Sequence, residues 1–259
     1  MICKQKIIEL ILIISILFSI LILIITLNKP FQNTDYFLVS NDIIEKNNQQ
    51  YTALYINLEN RQDRKIQFED ELKKQDFYNF KRFNAIKDPV KGYIGCSKSH
   101  LECLKIAKQN NYPYVIIFED DFEFLINKDE FHTLLNNLLQ IEYDVFMLGY
   151  NTIEFLNITS YIPDKSISHS GDLRSIYRIK NTQTASGYIV NRRYYDRLIN
   201  NFQDGLNLLQ TTDEYSNYAI DQYWKRLQDK DIWLCYKKRI GKQRASYSDI
   251  EKRLVDYKV

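Results

Sequence analysis

The sequence predicts an α/β fold, a mostly parallel sheet covered by helices, preceded by one N-terminal transmembrane helix. Three observations predict it. From Tyr51 onward, short runs of β-favouring residues alternate with charged stretches of helical spacing. One run, Tyr114-Val115-Ile116-Ile117-Phe118, has five strand-favouring residues between Pro113 and an acidic cluster. At the other end of the chain, Ile7–Leu27 is apolar apart from Glu9, Ser15, Ser19 and Thr26.

The apolar run comes first. About 20 helical residues, rising about 1.5 Å each, cross a bilayer core of ~30 Å. A cleaved signal has a shorter apolar region of ~7–15 residues and a small-residue cleavage site. This run is longer and ends in Asn28-Lys29-Pro30 without such a site, so it reads as an uncleaved signal anchor. Lys4 and Lys6 precede it and only Lys29 follows closely, which places residues 1–6 in the cytosol and the remainder outside it, a single-pass type II membrane protein. Residues 28–50 are polar and weakly patterned, as a stem would be, and residues 51–259 read as one α/β domain. Asn157-Ile158-Thr159 is a glycosylation sequon, compatible with a lumenal domain.

Within that domain Ala53–Ile56 reads as a buried strand and Arg61–Lys74 as a helix. Phe80–Ala85 reads as a second strand. Ile94–Gln109 has helical apolar spacing at Ile94, Leu101, Leu104 and Ile106. The strand Tyr114–Phe118 follows, then a helix over Phe131–Ile141, a third buried strand at Val145–Leu148, and a strand entered through Thr184–Val190. Open parallel sheets bind ligands beyond the carboxyl ends of their strands. The residues in that place are Asn57, Glu119-Asp120-Asp121 and Gly149-Tyr150-Asn151.

Composition excludes several classes. Lys and Arg number 35 and Asp and Glu 33, so 35 − 33 gives +2, without the basic excess of a nucleic-acid binder. Hydrophobic residues at 45% and charged residues at 26% exclude a disordered chain. Four Cys in 259 residues are too few for a disulfide scaffold.

Each candidate residue has a chemical and a plainer use. Glu119, Asp120 and Asp121 repel one another unless a cation or basic groups offset them, so they suit a metal–diphosphate site or a solvated acidic turn. Asn57 can present an amide to a base or ribose and Arg64 can pair with an anion, or both belong to an exposed helix start. In Gly92-Tyr93-Ile94-Gly95-Cys96-Ser97-Lys98-Ser99-His100, His100 can titrate near neutrality or simply hydrogen-bond, while Cys96 and Cys103 read as packing residues. Ser186 and Gly187, in Thr184-Ala185-Ser186-Gly187, would let backbone approach a sugar, or merely open a strand. Asp221 stands at a helix start, as a base or a cap. Lys242 and Arg244, in Lys237–Arg244, would neutralise phosphate or face water.

In order along the chain, these pieces resemble glycosyltransferase family 25, which contains lipopolysaccharide-biosynthesis enzymes and collagen galactosyltransferases. The matching pieces are Tyr55-Ile56-Asn57-Leu58 with Arg61 and Arg64, Gly95-Cys96 with Ser99-His100, Phe118-Glu119-Asp120-Asp121, Ala185-Ser186-Gly187-Tyr188, Asp221, and Gln243-Arg244 with Ser246-Tyr247-Ser248-Asp249-Ile250. The last segment is similar to members from large DNA viruses.

The resemblance implies a GT-A-like (Rossmann-like) fold, a UDP-sugar donor, a divalent metal (Mn²⁺ or Mg²⁺) and an inverting transfer of galactose or glucose to a glycan, lipid or protein hydroxyl. It makes Asp120 and Asp121 the metal carboxylates and Asp221 the catalytic base. It gives the donor site Asn57, Arg61, Arg64, His100, Glu119, Asp120, Ser186, Gly187, Lys242 and Arg244. Many GT-A enzymes add a late His as a ligand, whereas the last His here is His169, which leaves the final ligand to water or another residue. An inactive carbohydrate-binding homologue is the alternative. The Asp-x-Asp-x-Thr pattern of HAD-type phosphatases is not met by Asp121-Phe122-Glu123-Phe124.

Overall fold

Alternating apolar runs and helical stretches build an eight-stranded mixed sheet with helices on both faces. The computed structural model describes residues 53–138, 141–151, 154–157 and 176–257. The described residues fall within one compact unit, Gln49–Val259. The apolar run Ile7–Leu27, the stem, Ile158 and Thr159 of the sequon, and His169 lie outside the described residues. Among the described residues, no helix is long and apolar enough to cross a membrane.

The elements run β1 (Ala53–Asn57), α1 (Gln62–Lys74), β2 (Phe80–Asn84), α2 (Gly92–Gln109), β3 (Tyr114–Glu119), β4 (Phe122–Phe124) and α3 (Lys128–Leu138). After these come β5 (Val145–Met147), β6 (Glu154–Asn157), β7 (Ile176–Lys180), β8 (Gly187–Asn191) and the long α4 (Tyr195–Thr212). Three short helices follow, α5 (Tyr215–Tyr218), α6 (Ile220–Tyr223) and α7 (Lys225–Gln228). The chain closes with β9 (Trp233–Tyr236), β10 (Gly241–Gln243), β11 (Ser246–Ser248) and β12 (Arg253–Val255).

The sheet order is β2-β1-β3-β8-β5-β9-β7-β6. β1 is parallel to β2 and β3, and β5 is parallel to β9. β8 is antiparallel to both β3 and β5, and β7 to both β9 and β6. Six of the eight strands therefore share one direction, as expected of a mostly parallel sheet, while β7 and β8 are reversed. The reversal was not expected: an apolar run such as Gly187–Asn191 records burial, and burial carries no direction.

Strand alternation divides the core. Leu54, Ile56, Val115 and Ile117 face α2 and α4, in a cluster with Leu101, Leu104, Leu198 and Trp224. Ala53, Tyr55, Ile116 and Phe118 face α1 and α3, in a cluster with Phe68, Leu72, Phe131 and Leu134. In the second cluster Phe122 packs against Phe118 and Phe124, with ring centroids 4.9 and 5.0 Å away.

The Phe122 ring fits because two glycines lie against it. A Cβ on Gly187 would stand 2.5 Å from the ring, and a Cβ on Gly241 would overlap it. Gly187 therefore serves the packing of Phe122. Overfilling such a core costs about 1–3 kcal/mol, because neighbouring rings cannot yield. Gly241→Ala should lower stability by that amount in urea unfolding, and an unchanged midpoint would show that the Phe122 ring has room to move.

Candidate active site

The common strand direction gathers the carboxyl ends of β1, β3 and β5 on one edge of the sheet. The reversed β8 brings its amino end to the same edge, with Gly187 opposite Phe118 and Tyr188 opposite Met147. The Glu119 N–H donates to the Ser186 carbonyl at 2.9 Å. Segments 119–121 and 184–187, far apart in sequence, thus line one cleft.

The end of β3 splits the acidic triplet: Glu119 is its last residue, and Asp120 and Asp121 stand in the turn before β4. Glu119 continues the face of Val115 and Ile117 and meets α2. Its Oε1 lies 3.1 Å from His100 Nε2 and 3.7 Å from Cys96 Sγ. His100 is wholly buried, and its Nδ1 lies 2.9 Å from the Tyr188 hydroxyl. Burial alone would push the Glu119 carboxyl up, but the hydrogen bond and charge of His100 outweigh it and hold the group below its ordinary range.

Asp120 and Asp121 turn instead to Arg64, on the first turn of α1. Arg64 Nη1 donates to Asp120 Oδ1 at 2.9 Å and to Asp121 Oδ2 at 3.2 Å. Asn57 Nδ2 donates to Asp120 Oδ2 at 2.7 Å, and Gln243 Nε2 to Asp121 Oδ2 at 3.1 Å. Burial pushes Asp120 up. Burial, then the charge of Glu119, pushes Asp121 up to about 7 despite Arg64.

The other half of Arg64 holds the C-terminal segment. Its Nη2 donates to Ser246 Oγ and to the Tyr247 carbonyl, both at 2.7 Å. Arg61 pairs with Asp63 and Asp249, so both arginines strap the β11–β12 hairpin over the end of β1.

Asp221 lies across the cleft. It does not cap α6: its Oδ2 accepts from the Thr184 N–H at 3.1 Å, and Thr184 holds a φ of 89°. A β-branched residue in that region is strained, and the Asp221 bond helps hold it there. Its Oδ1 reaches only Gln222 Nε2, at 3.4 Å. Burial pushes the Asp221 carboxyl up.

The structure brings Asn57, Arg61, Arg64, His100, Glu119, Asp120, Asp121, Ser186 and Asp221 to this edge, but it changes several roles. Asn57 is 1% exposed: its amide donates to Asp120 and to the Arg61 carbonyl, and its Oδ1 accepts from Arg82 Nε at 2.8 Å. It fixes Asp120 and has no donor left for a base or ribose. His100 reaches Glu119, not open space.

The side chains of Lys242 and Arg244 face away from the carboxylates, toward Glu123 at 3.6 and 3.7 Å. Gln243 takes the inward place between them. Gln243, Arg82, Ser246 and Tyr188 were given no role from sequence. For Gln243 the alternation of Gly241-Lys242-Gln243-Arg244 was the available signal, and for Tyr188 its place in the Ala185-Ser186-Gly187-Tyr188 match; Arg82 lies on a separate strand and offered none.

Among the described residues, seven buried side-chain nitrogen or oxygen atoms lack a hydrogen-bond partner, and three belong to this edge: Arg64 Nε, Asp121 Oδ1 and Ser186 Oγ. Buried polar groups are rarely orphaned without reason. Asp121 Oδ1 is a hard oxygen donor in a site short of cations, which fits a divalent ion such as Mn²⁺ or Mg²⁺. Asp120 could join only by sharing oxygens now held by Arg64 and Asn57.

The family model for "Glycosyltransferase family 25 (LPS biosynthesis protein)" matches residues 90–223. No curated protein matches the chain. One similar solved structure is a glycosyltransferase involved in the glycosylation of the major capsid of PBCV-1: 10% identity over 78% of this chain and 96% of that one, TM-score 0.45. Another is A197 from STIV: 11% identity, 79% and 93% covered, TM-score 0.38. A third is the glycosyltransferase GlyE of Streptococcus pneumoniae TIGR4: 8% identity, 73% and 45% covered, TM-score 0.39. With scores this low, none of the three bears on function.

Arg64 is the countercharge on which the two aspartates depend. Breaking a buried pair by removing one partner costs about 3–5 kcal/mol. Arg64→Met should lose that much near pH 8 in EDTA. The sign with pH follows from the raised carboxyls: folded Asp121 keeps its proton where the unfolded chain has released it. Stability of the variant should therefore fall as pH rises from about 5 to 8. Urea unfolding at both values checks it, and a loss independent of pH would place the cost in packing.

Proposed function

Because the chain belongs to glycosyltransferase family 25, we propose that it moves a hexose, galactose or glucose, from a UDP-sugar to a hydroxyl of a glycan, lipid or protein, with inversion, on a GT-A-like scaffold. The orphaned polar atoms of Arg64, Asp121 and Ser186 carry this reading. They are buried, polar and gathered on the ligand-binding edge of the sheet, as a polar substrate requires.

The roles follow from the contacts. Arg64 and Asn57 hold Asp120 and Asp121 in place, and Asp121 Oδ1 is the donor for a divalent ion. That ion, when bound, would offset the charge on the departing diphosphate. Asp221 is the base. Thr184 fixes its Oδ2, which leaves Oδ1 to receive a proton, and its raised carboxyl suits a base working near neutrality. As the acceptor oxygen bonds to the anomeric carbon, the bond from that carbon to the diphosphate breaks. The acceptor proton passes to Asp221 and UDP leaves with the electron pair.

UDP release from UDP-galactose and UDP-glucose, with and without Mn²⁺, tests the activity. Asp121→Asn should abolish metal-dependent release, since the amide removes the charge that holds the ion. Asp221→Asn should slow transfer by ~10²–10⁴-fold, the usual worth of a general base, with near-normal UDP–Mn²⁺ binding by calorimetry. An equal loss of UDP affinity would assign Asp221 to the donor side or to the Thr184 loop alone.

The proposal extends to the membrane. Ile7–Leu27 is long enough to anchor the chain in type II orientation. The full chain should stay in membranes through carbonate extraction, and its release into the supernatant would remove the anchor.

A further inference from the structure

Where α2 meets the end of β3, a second set of donors stands apart from the transfer chemistry. Cys96 Sγ, His100 Nε2 and a Glu119 oxygen all lie within 4.8 Å of one another. Among the described residues, no other three His, Cys, Asp or Glu side chains come so close. Cys96 and His100 are four apart on α2, so both project from one face of the helix. Glu119 meets them from the last position of β3.

The distances suit a shared ion. The Nε2–Oε1 separation is 3.1 Å and the Sγ–Oε1 separation 3.7 Å. Tetrahedral bonds of about 2.0 Å to nitrogen and oxygen and 2.3 Å to sulfur would place such donors about 3.3–3.6 Å apart. Shifts of a few tenths of an ångström would suffice for these two separations. The donor set of one sulfur, one imidazole and one carboxylate selects a borderline ion such as Zn²⁺, not the hard ions suited to Asp121.

The outer partner is also present. A ligating imidazole usually has its second nitrogen engaged, which fixes its tautomer and orientation. Here the Tyr188 hydroxyl lies 2.9 Å from His100 Nδ1, and the ring is fully buried. Glu119 keeps 24% of its side-chain surface exposed, and Cys96 is partly exposed, so the cluster is open on one side.

We propose that Cys96, His100 and Glu119 form a zinc-type site with three protein ligands and a fourth position for water, separate from the Asp121 donor site. The ion would tie α2 to the end of β3.

The test uses the full-length chain stripped of metal and titrated with Co²⁺, whose bond to a thiolate gives a near-ultraviolet charge-transfer band. One equivalent should produce the band, and Zn²⁺ should displace it. Cys96→Ser should abolish the band while thermal unfolding stays cooperative. Tyr188→Phe should weaken binding by ~10–100-fold through the freed imidazole. Asp121→Asn should keep both band and affinity, even where sugar transfer is lost. Absence of the band in the folded wild-type chain, or its survival in Cys96→Ser, overturns the site. Its loss in folded Asp121→Asn protein overturns the separation of the two sites.

Discussion

Asp120 and Asp121 keep only 9% and 8% of their side-chain surface exposed, side by side, against the single guanidinium of Arg64. Desolvation and mutual repulsion oppose this arrangement, and one positive charge offsets only part of it. Much of the surrounding architecture bears on that imbalance. Asn57 supplies an amide from the end of β1, Gln243 another from β10, and the Arg244 N–H binds the Asp121 carbonyl at 2.7 Å. The β11–β12 hairpin is held through the same Arg64 that holds the carboxylates. First strand, central strand and C-terminus therefore meet at one charge, and a change there is felt by all three.

The reversed β8 is the topological counterpart. If β8 ran parallel to its neighbours, the loop before it would open at the opposite edge of the sheet. Because it runs against β3 and β5, Thr184, Ser186 and Asp221 join the acidic end of β3. The glycine cradle around Phe122 lets these segments approach, since side chains at 187 and 241 would meet the ring first.

Much of the fold was legible because burial and periodicity are local. Tyr114–Phe118 announced the central strand, which the structure extends to Glu119, and Ile94–Gln109 announced α2 to within two residues. Strand direction was not legible, because Gly187–Asn191 is apolar whichever way it runs. The acidic triplet was legible as a site, since it ends the strongest strand. Its division was not: that Glu119 faces α2 while Asp120 and Asp121 face α1 depends on which helix covers which face. Lys242 and Arg244 attracted notice as charges, yet both turn toward Glu123 and leave the uncharged Gln243 beside Asp121.

That division explains how two chemistries can adjoin within three residues. Glu119 sits against an imidazole and a thiol, where burial opposes ionisation but the hydrogen bond and charge of His100 hold its carboxyl below its ordinary range. Asp121 sits among hard donors with too little positive charge, and its carboxyl rises to about 7. The difference does not come from residue type, since both are carboxylates on consecutive stretches of backbone. It comes from where the strand stops: Glu119, still on β3, meets Cys96 and His100 of α2, and the turn at Asp120 and Asp121 meets Arg64 of α1. A strand end packed between two unlike helices can therefore present neighbouring carboxylates to unlike partners, and the ionisation of each is set by the helix it meets.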